Sequence, residues 1–375
     1  MGIIRALLAF AVVFAHSPWN GGVALVGGRN AVQLFYVISG FLIAHVLRTN
    51  TNYRNPLRFY ANRALRIYPA YYIVLLFSLG PALLTQSPLL EFIRNAGVGA
   101  KTLLLLANVA IFGQDWVMFG AVEDGALILT ADFSQAKTPL YLGLVIPQAW
   151  TLGVELTFYA IAPFLLRRNS WILIALILSF AVRGWLFYVG IGTHDPWSYR
   201  FFPAELSLFL LGALANRIGV DKWQRLLSTS ENVRGASVLA TATLCIVICT
   251  YFFVPISETI KTISLMTVFS ILLPLVFLYR PKGSWDKFLG DLSYPVYISH
   301  IFVILVIGVI VRRLSWHPSA ALITAMNLIF SVVFATLLNQ ILERPLERLR
   351  TRVRLGRSAL GTAGDLPLTA QSQRQ

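Results

Sequence analysis

The chain has 375 residues, 57% of them hydrophobic and only 13% charged, with a mean hydropathy of +0.70. Soluble domains carry about a quarter charged residues, so this composition excludes an ordinary globular enzyme and points to a polytopic helical membrane protein. The net charge of +15 would suit a nucleic-acid partner, but the arginines sit between apolar runs, where the positive-inside rule accounts for them and no nucleic acid is expected.

The first apolar run, about 3–19, begins near Arg5 and reaches His16 before Ser17-Pro18. It has no small-x-small cleavage site and reads as an uncleaved first span. A Gly-rich linker, Asn20 to Asn30, leads to a second span at about 31–47. Arg48, Arg54, Arg58, Arg63 and Arg66 follow with no acid among them. The third span, about 68–85, is entered through Tyr68-Pro69-Ala70-Tyr71-Tyr72. Lys101 to Gly113 is apolar but short for a hydrocarbon core of ~30 Å at ~1.5 Å per residue. Residues 114–147 are mixed in character and read as a loop or partly re-entrant segment. Further spans are expected near 148–166, 170–190, 203–216, 235–254, 261–279, 292–311 and 319–342.

Basic loops follow the spans ending at 166, 216 and 279, whereas the linkers near 191–202 and 255–260 are poor in basic residues. The alternation works if 101–113 does not fully cross. The expected fold is therefore all-α: a polytopic integral membrane protein of about ten transmembrane helices plus one short re-entrant or partial segment, both termini cytosolic. The membrane domain covers 1–345, and 346–375 is a basic, then small and polar, cytosolic tail expected to be disordered. Cys245 and Cys249 read as free thiols, and no metal motif is present.

Four places hold candidate chemistry. Arg5 and His16 lie about three turns apart and share a helix face, with His16 roughly 20 Å along the helix from a cytosolic start. His16 reads either as a general base on a hydroxyl or as an inert interfacial histidine. Arg63 and Arg66 share a face and either clamp a phosphate or diphosphate or serve only topology and lipid headgroups. Glu155 is the lone acid of a long apolar run, so it orients an imidazole, binds a polar acceptor, or pairs with an arginine such as Arg183 or Arg5. His300 follows Tyr294 and Tyr297, which face together with Ile301, and lines a cavity or packs between helices.

These segments together resemble the membrane-bound acyltransferase 3 family, the O-acetylases of lipopolysaccharide, exopolysaccharide, peptidoglycan and rhizobial Nod factors. The family's first span runs from an arginine to a histidine, as Arg5 to His16 does. Its second-span signature is matched by Leu34-Phe35-Tyr36-Val37-Ile38-Ser39-Gly40-Phe41-Leu42-Ile43, and its arginine motif by Arg63-Ala64-Leu65-Arg66-Ile67-Tyr68-Pro69-Ala70-Tyr71. Trp150-Thr151-Leu152-Gly153-Val154-Glu155 with Phe158-Tyr159 matches a third motif, with Thr for Ser at 151 and Leu156 in place of a second acid. Ser293-Tyr294-Pro295-Val296-Tyr297-Ile298-Ser299-His300 matches the last. The resemblance implies that His16 is the essential histidine, aided by Glu155, and that Arg63 and Arg66 hold acetyl-CoA or another acyl-CoA donor. Arg5, Tyr36, Ser39, Trp150, Tyr294 and His300 would support the site or the acceptor, a glycan or lipid-linked glycan. It also implies residence in a bacterial cytoplasmic membrane. The rival is a transporter or flippase of a lipid-linked glycan, which would need no CoA and should show two similar half-chains.

Overall fold

The computed structural model describes residues 1–18, 25–84, 88–227, 229–279 and 284–355. Its helices are α1 Gly2–Ala15, α2 Gly27–Thr49, α3 Pro56–Leu84, α4 Pro88–Asn95, α5 Val98–Ala110, α6 Trp150–Leu165 and α7 Asn169–Tyr188. They continue as α8 Phe202–Leu214, α9 Val220–Leu226, α10 Ser230–Thr250, α11 Glu258–Leu278, α12 Ser284–Arg313, α13 Ala320–Leu338 and α14 Arg344–Leu355. Seven helical segments among the described residues are long and apolar enough to cross a membrane: those of α2, α3, α7, α10, α11, α12 and α13. α1, α6 and α8 coincide with expected spans but are shorter, at 14, 16 and 13 residues.

The helices alternate in direction. The α1 N-terminus is bonded to Asp286 at the start of α12, so both begin at one end of the bundle. At that same end Arg48, closing α2, pairs with Asp221 of α9, and α14 packs on α3 through Asn62, which donates to the Arg350 carbonyl. This end holds the arginine loop and is called the basic end. At the far end lie His16, the start of α2, the chain between α5 and α6, and the linker before α8. Close approach is set by glycine where it matters. A Cβ on Gly40 of α2 would lie 1.8 Å from the Phe209 carbonyl oxygen, and one on Gly212 of α8 would lie 1.9 Å from that of Val37. That mutual contact brings α8 against α2 backbone to backbone.

α5 is held part-way along α3. The hydroxyls of Tyr68, Tyr71 and Tyr72, near the middle of α3, donate to the carbonyls of Ala110, Asn108 and Val109 at 2.6, 2.6 and 2.7 Å. They satisfy the last carbonyls of α5, which a helix leaves open and a membrane interior makes costly. The chain then turns through Gln114 and Asp115, and the Gln114 side chain donates to the Ala107 carbonyl at 3.0 Å. Residues 114–147, expected to be a loop or partly re-entrant segment, also form a hairpin of β1 Gly120–Glu123 with β2 Ala126–Leu129. Asp124 and Gly125 both have positive φ, 48° and 80°, as an Asp-Gly hairpin turn requires.

The basic tail departs from expectation over 346–355. These residues continue the chain as α14, with Arg348 and Arg352 exposed and Arg350 turned inward. Alternating charged and apolar residues give this helix one face to pack on α3, so it is ordered where a bare charge count suggests a free tail. The small, polar remainder after Arg357, and Arg280 and Lys282 of the basic loop before α12, lie outside the described residues.

Candidate active site

Three cavities lie one after another through the bundle. The first, at the basic end, is about 700 Å³ and is lined by Arg5, Arg66, Lys287, Arg344 and Arg350 against Asp291, Glu343 and Glu347. The second is narrow, about 90 Å³, and draws together Arg5, Arg63, Arg66, Tyr36, Ser39, Glu155, Tyr159 and Tyr294. The third, at the far end, is about 480 Å³ and holds His16, Arg29, Gln148, Trp150, Tyr199 and Arg200. Arg5, Arg66 and Tyr294 line both the first and second; Val32 and Tyr297 line both the second and third.

The middle cavity joins residues of all five motifs. Gly40 lets α2 lie close enough to α8 for its neighbour Ser39 to take a fixed place on the cavity wall. Glu155 accepts from Ser39 Oγ and from the Tyr159 hydroxyl, both on Oε1. Among the described residues it bonds no imidazole and no arginine. Arg183 is taken by the fully buried Glu205, 2.8 Å away, which also receives Gln33. Of the acid's anticipated partners, only Arg5 shares its cavity. Among the described residues Arg5 and Arg66 make no ion pair. Arg63, only 7% exposed, donates to Asn62 Oδ1 at 2.9 Å and lies over the rings of Phe59 and Tyr159. The two motif arginines thus differ: both reach the narrow cavity, and only Arg66 reaches the wide basic one. Tyr294 donates to the Ile67 carbonyl at 2.7 Å, tying α12 to the turn that carries Arg66. Tyr36 stacks on Phe209 with centroids 4.7 Å apart.

His16 caps the C-terminus of α1 and is exposed in the far cavity. Fourteen residues of α1 give a rise of roughly 21 Å, short of the ~30 Å hydrocarbon core. The far cavity brings polar groups to His16 at that level. Its Nδ1 lies 2.9 Å from the Val12 carbonyl oxygen, which only accepts, so Nδ1 carries the hydrogen and Nε2 offers a lone pair. His300 is fully buried directly against it, with ring centroids 5.0 Å apart and Nδ1 on the Tyr297 carbonyl. His300 packs between helices behind His16 and lines none of these three cavities.

Between the middle and far cavities stands a polar partition. Tyr297 and Thr151 hydroxyls are 2.6 Å apart, and Tyr297 also donates to the Gln148 carbonyl at 3.0 Å. Thr at 151 keeps the hydroxyl this contact needs. Gly153, two residues on, accommodates the turn at Gln114-Asp115: a Cβ there would meet Asp115 Oδ1 at 2.8 Å. Asp115 is 2% exposed, and burial pushes its carboxyl up to about 7.

Sequence reasoning missed much of the far cavity. Arg200 is gripped by Asp195 through two bonds of 2.6 and 2.8 Å and lies over the Trp150 ring at 4.2 Å and the Tyr199 ring at 4.7 Å. Arg29 sits across from it, and Phe133 and Tyr141 add two rings. The available signal was that Arg29 and Arg200 are basic residues at the end where topology asks for none. Cys245 and Cys249 are free thiols, and among the described residues no metal-binding cluster occurs.

The sequence model of a family described as "Acyltransferase domain", the acyltransferase 3 family, matches residues 1–336. An uncharacterized protein of Aquifex aeolicus (strain VF5) is 25% identical over 210 residues, covering 55% of this chain and 89% of that protein. No solved structure matches.

Proposed function

Because the chain belongs to the acyltransferase 3 family and is a multi-pass membrane acyltransferase, we propose that it moves an acetyl or related acyl group from cytosolic acyl-CoA to a hydroxyl of a cell-surface or exported glycan. The observation that carries this reading is the series of three cavities, with an arginine-lined passage in the middle and His16 in the far one. A wide basic chamber suits the phosphates of CoA, and a narrow passage suits its thin pantetheine arm. The far chamber, rich in rings and hydrogen-bonding groups, suits a sugar.

In this reading the chain crosses a bacterial cytoplasmic membrane ten times, with both termini and the basic end on the cytosolic side; the basic loops gathered at that end support it. Arg66 and Arg63 hold the donor, with Arg5 in support. Glu155 keeps three arginines from facing one another unopposed and, through Ser39 and Tyr159, fixes the walls of the passage. His16 Nε2 takes the proton of the acceptor hydroxyl. The oxygen attacks the thioester carbonyl, the carbon–sulfur bond breaks, and the thiolate leaves and receives the proton. Val12 holds the imidazole in the tautomer this requires, and His300 backs it. A transporter would need neither the free Nε2 nor a basic chamber opening onto the passage.

The test is purified protein with radiolabelled acetyl-CoA and an oligosaccharide acceptor. Label should move to the glycan, and His16→Ala should abolish the transfer while the protein still folds. Undiminished transfer by that variant removes His16 from the chemistry.

A further inference from the structure

We propose that the acceptor held in the far cavity carries a negative charge near the hydroxyl that is acylated, and that Arg29 reads that charge. The inference rests on the acyl-transfer reading above and adds the chemical class of the acceptor.

The charged groups lining the cavity are Arg29, Arg200, Asp195 and, when protonated, His16. Arg200 is matched: Asp195 takes two of its donors, and aromatic faces cover the rest of its surface. Arg29 is unmatched. It donates one bond of 3.3 Å to the Ser198 carbonyl and lies 5.7 Å from the Tyr199 ring. Among the described residues it makes no ion pair. Its neighbour Gly28, in the same first turn of α2, lines the cavity too, and the field of that helix end has the same sign.

Topology gives no reason for this arginine, because positive-inside loops lie at the other end. Arg29 is exposed on the cavity wall, and a neutral sugar lying over it would take water from the charge without answering it. A carboxylate or phosphate would take its free donors, bidentate if the geometry allows. His16 lines the same cavity, so one ring can present a hydroxyl to Nε2 and an anion to Arg29. Uronic-acid carboxylates and sugar or carrier phosphates share this chemistry.

The experiment measures binding to the full-length protein in nanodiscs by calorimetry, without CoA. Three probes are used: a glucuronate-containing disaccharide, its neutral glucose counterpart, and glucose 1-phosphate. At least one anionic probe should bind about tenfold tighter than the neutral one, as a charge-assisted hydrogen bond provides. Added salt should shrink the preference. Arg29→Gln should bring the anionic probe to the neutral level, and Arg29→Lys should restore part of the gap. Whichever anion is preferred identifies the source. Equal binding of all probes by the native protein, no binding of any, or an equal loss for all in Arg29→Gln overturns the proposal; the last would make Arg29 only a tie to the 198 carbonyl. Anion preference without acetyl transfer would instead overturn the acyl-transfer reading and leave this site standing.

Discussion

The two wide cavities recognise by different means. The basic-end chamber is lined by five cationic side chains and three acids, most of them long and few of them paired. The far chamber has fewer charges, but Arg200 is locked by Asp195 and stacked on Trp150, and five aromatic residues line the wall. The first suits a flexible polyanion held by field strength. The second suits a ring held by shape. The narrow passage between them is where the two chemistries meet, and His16 belongs to the second side although the arginine motif belongs to the first.

Substitutions can break that contrast. The largest effect is expected at His16: His16→Ala should lower kcat by about 10²–10⁴-fold, as for loss of a general base, with little change in acetyl-CoA KM. Next come the motif arginines. Arg66→Ala, facing both inner cavities, should raise acetyl-CoA KM about tenfold, equivalent to one charge-assisted bond, and leave acceptor KM alone. Arg63→Ala should do less to KM and more to thermal stability, since Arg63 is buried between Asn62 and two rings. Steady-state kinetics with each substrate varied in turn separates these cases. On the other side, Arg200→Ala should raise acceptor KM by several-fold, roughly the ~1 kcal/mol scale of a cation–π contact, without moving acetyl-CoA KM. If both KM values move together, the cavities are not separate binding units.

The helical plan was legible because apolar runs of membrane length and loop charge constrain each other. Glu155, readable as the lone acid of an apolar run, lines one cavity with Ser39 and Arg66. Partners were harder. Glu155 sits with hydroxyls and Arg183 with Glu205, because helix crossing at Gly40 and Gly212, invisible in one dimension, decides which faces meet. α5 looked too short to cross, and the tyrosines that cap it were in plain view at 68–72, but nothing in the spacing linked the two. The Asp195–Arg200 clamp was missed because both residues lie in a linker whose charges looked sparse. The turn at Asp124-Gly125 was a readable hairpin signal inside a stretch taken for loop.

The smallest effect concerns the turn at Asp115. Burial raises the Asp115 carboxyl to about 7, above its unfolded value of 3.8. A folded-state pKa above the unfolded one contributes stability below about pH 4 that is lost as pH rises through 7. Asp115→Asn should therefore raise the melting temperature by a few degrees at pH 8 and change it little at pH 5. A gain of the same size at both values would mean that charge at Asp115 is not the cause.

The central claim is that donor and acceptor occupy opposite faces and meet across the passage. Proteoliposomes of uniform orientation test it, with radiolabelled acetyl-CoA and a glycan acceptor supplied to chosen sides. Acetylated glycan should form when acetyl-CoA faces the basic end and the glycan faces the far end, and not when both are confined to either side. Equal product with both substrates on one side would contradict the account.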